Sequence, residues 1–124
     1  IDATLYHRII DYIKQTDIVL TEHVGMSNLS LTTQPKEIDT HIYERDTEWL
    51  KESDLVIAEC TCPSLGVGYE LAYAEAHSIP AYVFYDKSKS NISAMLNGNS
   101  YFTVIPYESE ADIYPVLDKI LHRQ

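Results

Sequence analysis

The sequence predicts an α/β fold, a parallel sheet with helices on both faces. Two observations predict it. Short apolar runs recur at "DIVLTE" (17–22), "DLVIAE" (54–59), "PAYVFYD" (80–86) and "YFTVIPY" (101–107), each short enough to be a buried strand. Segments with apolar residues at helical spacing separate them. Strands alternating with helices imply a parallel sheet, the doubly wound arrangement of Rossmann- and flavodoxin-like domains. At 124 residues the chain is one domain, residues 1–124, long enough to bury a real core.

In chain order, Leu5, Ile9, Ile10 and Ile13 predict a helix from Thr4 to about Gln15, capped by Asp2 or Thr4. The strand 17–22 follows. Residues 24–36, "VGMSNLSLTTQPK", are polar and without period, and predict a loop able to act as a lid. Ile38, Ile42, Trp49 and Leu50 predict a helix over 38–52, ahead of the strand 54–59. A loop over 60–67 then opens a helix from about Gly68 to Ser78. After the strand 80–86, "NISAMLNG" (91–98) predicts a short helix closed by Gly98. After the strand 101–107, Ile113, Val116, Leu117 and Ile120 predict an amphipathic helix over 109–122. A doubly wound sheet usually opens with a central strand, whereas this chain opens with a helix. A strand and loop are therefore expected ahead of Ile1.

Charge narrows the partners. The formal net charge is −10, and the sequence pI is near 4.7. A nucleic-acid polymer is excluded, because phosphate-backbone binding needs a basic face. A small phosphate ligand is not, because helix N-termini and hydroxyls hold one without surplus Lys or Arg. Cys60 and Cys62 have neither zinc nor disulfide-framework spacing. Reduced thiols, an intracellular setting (cytoplasmic, or nuclear in a eukaryote) and no membrane span are expected.

Ligands of such sheets sit at the carboxyl ends of the strands. That edge collects the residues after Glu22, Glu59 and Asp86, so His23 and the loop 60–67 belong to it. Glu70 follows that loop. It is either a carboxylate complementing the macrodipole in a first helical turn or a nucleophile or acid/base set in a pocket. Ser64, Gly66 and Gly68 make either a turn or an anion cradle of backbone N–H groups and a hydroxyl. Asp46, in "ERDTEWL", is by default a solvated surface acid, though Trp49 and Leu50 mark a buried side next to it.

"DTEWLKESDLVIAECTCPSLGVGYELAYAEA", with "DIVLTEHV" (17–24) and "NISAML" (91–96), closely resembles 2′-deoxynucleoside 5′-phosphate N-hydrolases of the nucleoside 2-deoxyribosyltransferase superfamily. The resemblance implies hydrolysis of the N-glycosidic bond of a 2′-deoxynucleoside 5′-monophosphate, without metal or cofactor. Glu70 matches the nucleophile, and Asp46 the acid that protonates the departing base and then assists water. Two carboxylates flanking an oxocarbenium-like transition state are what glycosidases use. Ser64 matches a phosphate-binding serine, with Gly66 and Gly68 letting backbone approach the phosphate. Ser93 matches a serine supplied by the neighbouring subunit, which implies a homodimer. His23 matches a residue contacting base or sugar. The family's N-terminal strand carries a tyrosine that orients the glutamate and leads into a basic phosphate loop. Neither is seen in this sequence, and Tyr6, which sits in the helix after that loop, is not assigned that tyrosine's role.

Two alternatives stand beside the hydrolase. A deoxyribosyltransferase shares the first half-reaction but places an acid and an amide around a free 5′-hydroxyl. An acid there would repel a phosphate, whereas Ser64 and Ser93 are neutral donors, which favours the phosphorylated substrate. A non-catalytic nucleotide sensor gains nothing from two negative charges beside its ligand.

Overall fold

The computed structural model describes residues 3–20 and 35–122. Helix α1 spans Ala3–Lys14 and α2 spans Lys36–Glu52. Strand β1 (Val56–Glu59) leads to α3 (Leu65–Ala76) and β2 (Ala81–Asp86). The single turn α4 (Ala94–Asn97) precedes β3 (Thr103–Tyr107). A 3₁₀ turn over Glu110–Asp112 then enters α5 (Ile113–Ile120).

The sheet is parallel in the order β1-β2-β3, with Ala58 opposite Val83 and Val83 opposite Val104. Parallel strands need crossovers, and α3 and α4 supply them. One face carries Leu71 and Ala74 of α3 against Val83 and Phe102, with Leu96 of α4 beside them. The other face carries Ile9 of α1 and Ile113, Leu117 and Ile120 of α5 against Phe84 and Tyr107. Val83 and Phe84 point to opposite faces and are both buried, as a central strand covered twice requires. The doubly wound α/β expectation therefore holds, with helices on both faces.

Three expectations are corrected. Residues 17–20 do not form a strand: the chain leaves α1 through turns, with the Asp17 N–H donating to the Ile13 carbonyl at 3.0 Å, and Ile18 is 88% exposed. A strand exists only with a ladder partner, and among the described residues β1 pairs on one side alone. The expected strand ahead of Ile1 and most of the 24–36 loop lie outside the described residues. Helix α2 starts at Lys36, two residues early, because Pro35 stands at its N-cap. Helix α3 starts at Leu65 rather than Gly68, because the Ser64 Oγ accepts from the Val67 N–H at 3.3 Å. That cap outweighs the helix penalty of the glycines behind it. Gly66 and Gly68 are consequently helical, and no described glycine has positive φ.

Among the described residues, two non-glycines take the left-handed conformation, His122 after α5 at φ 57° and Ser78 at the far end of α3. Ser78 sits at φ 59°, and the Ile79 N–H donates back to the Ala74 carbonyl at 2.8 Å. That is the helix-closing geometry glycine usually fills. Ser78→Gly should stabilise the fold by about 1 kcal/mol by removing the left-handed penalty, read as a higher urea midpoint at unchanged slope.

Candidate active site

The carboxyl ends of β1, β2 and β3 are tied by one polar network. Glu59, the last residue of β1, accepts from the Thr61 N–H at 2.7 Å and the Thr61 hydroxyl at 2.6 Å. The Tyr107 phenol, at the end of β3, donates to the same carboxylate. The Thr61 Oγ1 in turn accepts from the Asp86 N–H, at the end of β2, at 2.9 Å. Asp86 accepts from the Ser88 N–H at 3.0 Å and the Ser88 hydroxyl at 2.6 Å, and the Ser88 hydroxyl above all holds its carboxyl below the usual range. Burial and then Glu59 push the Tyr107 phenol well up. Burial, followed by the charge of Glu59, raises the Cys60 thiol to about 11, so it is a protonated packing residue rather than a nucleophile.

This network fixes the turn that enters α3. Ser64 caps the helix, which carries Glu70 in its second turn rather than its first. The macrodipole account of Glu70 weakens accordingly, because that field acts in the first turn. Helices α2 and α3 pack together, and they bring Asp46 and Glu70 into one partly buried site. Burial first, and then the charge of Asp46, raise the proton affinity of Glu70 above that of an ordinary carboxylate. A partly desolvated carboxylate with a second carboxylate close enough to oppose its ionisation is the pattern of an acid/base or nucleophile pair.

Other side chains frame the pair. The Arg45 Nε donates to the Asp46 Oδ1 at 3.1 Å, and its guanidinium lies over the Trp49 ring, 4.9 Å from the centroid. Tyr43 of α2 and Tyr69 of α3 meet edge to face with centroids 6.2 Å apart. Tyr6 of α1 lies near enough that Glu70's charge adds to burial in raising its phenol. Sequence reasoning set Tyr6 aside because it sits on the first helix rather than on a strand, and the approach of α1 to α3 is not written locally. Arg45 was also missed, although its spacing of four from Trp49 on a helix was a usable signal.

The opposite flank of α3 borders a cavity of about 430 Å³. Ser64, Gly68 and Leu71 line it from α3 and its cap, and Ser93 and Met95 from the α4 segment. Each serine caps a helix, with the Ser93 Oγ accepting from the Met95 N–H at 3.2 Å. A Cβ on Gly68 would meet nothing within 4 Å, and one on Gly66 only the Ser64 Oγ at 3.9 Å. Neither glycine is demanded by backbone shape or crowding. The fold thus joins Asp46 with Glu70, and Ser64 and Gly68 with Ser93, on two flanks of one helix. Gly66 stands at the start of α3, outside the cavity lining. His23 lies outside the described residues. Among the described residues, no group of three or more His, Cys, Asp or Glu side chains is placed to hold a metal ion. No helix among them is long and apolar enough to cross a membrane.

A family model described as nucleoside 2-deoxyribosyltransferase matches residues 2–105. The chain belongs to this family. The Homo sapiens 5-hydroxymethyl-dUMP N-hydrolase is 41% identical over 123 residues, covering 95% of this chain and 70% of that protein. Two relatives carry the name "Putative 2'-deoxynucleoside 5'-phosphate N-hydrolase 1". The one from Nematostella vectensis is 44% identical over 119 residues, 88% of this chain and 78% of its own. The one from Syntrophotalea carbinolica is 49% identical over 66 residues, 52% of this chain and 46% of its own, so the match spans under half of that relative. Among solved structures, a Clostridium botulinum CMP N-glycosidase superposes with a TM-score of 0.68 over 93% of this chain and 90% of that one. At 20% identity that likeness shows a shared fold.

The raised proton affinity of Glu70 has a consequence for stability. The folded state holds this proton more tightly than the unfolded chain does. Stability therefore falls as pH rises from the ordinary carboxylate range through Glu70's raised one. Glu70→Gln should remove that part of the fall and unfold at higher urea than the parent at neutral pH. The two should converge below the carboxylate range.

Proposed function

We propose that this protein hydrolyses the N-glycosidic bond of 2′-deoxynucleoside 5′-monophosphates, giving a free base and 2-deoxyribose 5-phosphate. The observation that carries the reading is the carboxylate pair itself, Glu70 on α3 with Asp46 on α2, partly buried behind the carboxyl end of β1. The names of the relatives support the reaction class. Those named for 5-hydroxymethyl-dUMP make a modified pyrimidine nucleotide the first substrate to assay.

In the first step ionised Glu70 attacks the anomeric carbon as the C–N bond breaks. The bonding pair leaves with the base, and the base takes a proton from Asp46. In the second step Asp46 takes a proton from water, the water oxygen bonds to the anomeric carbon, and the Glu70 carboxylate is released. A deoxyribosyl centre lacks the electron-withdrawing 2-hydroxyl, so positive charge builds on it readily. Raised proton affinity keeps Glu70 from being a spent, fully solvated anion, and it also sets where activity fails. The rate constant kcat/KM should fall as pH drops through Glu70's raised range, above that of an ordinary carboxylate.

The phosphate falls to Ser64 at the N-terminus of α3, aided by the helix field, with Gly66 and Gly68 keeping the first turns bare. We assign base or sugar contact to His23. Ser93 resembles the serine that a neighbouring subunit supplies in this family, and we assign it to the site of a second chain. A homodimer is therefore part of the reading, and Leu65 and Met95, 97% and 81% exposed beside the cavity, give its contact face apolar anchors. The domain is read as the family's domain over residues 1–124.

Glu70→Ala and Asp46→Asn should each lower kcat by about 10²–10⁴-fold, followed as release of free base from a deoxynucleoside monophosphate. Full turnover by Glu70→Ala would overturn the nucleophile assignment, and base exchange in place of hydrolysis would make the protein a transferase. Met95→Glu should convert the dimer to a monomer in sedimentation and lower kcat/KM with it.

A further inference from the structure

The carboxylate pair stands in a partly buried site, and the reaction needs Glu70 ionised while Asp46 keeps a proton to give. Among the described residues, Arg45 is the cation in contact with it. Arg45 precedes Asp46 on α2, and its Nε reaches the Asp46 Oδ1 at 3.1 Å. The two side chains are only 29% and 15% exposed, which sets this ion pair apart from a solvated surface contact. The guanidinium also has a seat. It lies 4.9 Å from the centroid of the Trp49 ring, one helical turn further along α2. The arrangement is thus a row on one helix: indole, guanidinium, carboxylate. Facing it across the α2–α3 contact is Glu70, and the Tyr6 phenol approaches Glu70 from α1.

We propose that Arg45 is a positioning residue for the reaction, a guanidinium seated on Trp49 that orients Asp46 and supplies the counter-charge that lets Glu70 ionise beside it. The inference rests on the reading of Glu70 and Asp46 as the catalytic pair. Without Arg45, the pair would have to lose its first proton with no cation in contact with it. The ionised nucleophile would then form only at higher pH, and Asp46 would lose the contact that fixes its rotamer. A planar fork does both jobs. Lysine keeps the charge but loses the fork and most of the stacking on the ring.

The experiment measures kcat/KM for a deoxynucleoside monophosphate against pH in the parent, Arg45→Gln and Arg45→Lys, with Asp46→Asn in parallel. Trp49 is the chain's single tryptophan, so its emission reports the guanidinium seat directly. In Arg45→Gln the acidic limb should move up by about one pH unit, and the Trp49 emission should change. In Arg45→Lys the limb should return most of the way to the parent position, while kcat stays below it. A purely structural arginine would lower activity equally at all pH values and leave the limb in place, and that result overturns the proposal. If Arg45→Gln does not fold, Arg45→Lys decides, since full parental kcat with unchanged emission would also overturn it. Should Asp46→Asn keep full activity, the catalytic pair itself fails. A dead Asp46→Asn with an unmoved limb in Arg45→Gln removes Arg45 alone.

Discussion

The Glu59 carboxylate is the contact on which the functional edge depends. It closes β1, and it accepts from Thr61 twice and from Tyr107. Through Thr61 it also reaches the amide of Asp86. A carboxylate so placed joins the ends of three strands and dictates the direction in which the chain leaves the sheet. Helix α3 inherits that direction, and the positions of Ser64 and Glu70 follow from it. Hydrogen bonds to a charged acceptor are among the stronger ones in a protein, and a buried acceptor left without its donors is costly. The edge is therefore held firmly by groups that need touch no substrate.

Rigidity there makes the strained electrostatics of the pair tolerable. Burial and Asp46 both oppose ionisation of Glu70, so part of the fold's stability is given up to hold it. The two apolar clusters on the sheet faces, centred on Leu71 with Val83 and on Ile113 with Leu117, supply the stability against which that cost is set. Helix α3 stands between them and the chemistry. Its inner side is fully buried at Leu71 and Ala74, while Glu70 and Ser64 occupy other parts of its circumference.

Much of the fold was legible in the chain. The runs at 54–59, 80–86 and 101–107 announced themselves, each overrunning its strand by one or two residues, because a strand covered on both faces must be apolar throughout. Residues 17–20 misled because strand formation depends on a partner remote in sequence, and composition does not reveal a missing neighbour. The start of α3 misled for a different reason. Gly66 and Gly68 looked like loop residues, whereas one hydroxyl at Ser64 sufficed to begin the helix ahead of them. The pairing of Glu70 with Asp46 came from resemblance rather than from spacing, since a separation of 24 residues carries no geometric information. The Arg45–Trp49 seat was the reverse case, a local spacing in plain view that gained meaning only once Asp46 was placed beside it.

The two capping serines have a consequence for the kind of ligand they can meet. In each, an oxygen lone pair is already engaged by a backbone amide, Val67 for Ser64 and Met95 for Ser93. What remains on each oxygen is one further lone pair and the hydroxyl hydrogen. With part of its accepting capacity taken by the helix, each serine meets a ligand chiefly as a donor. An oxyanion uses that donor fully, whereas an ammonium has no lone pair to receive it. Helix capping, a device of local stability, thus biases each serine towards anionic ligands.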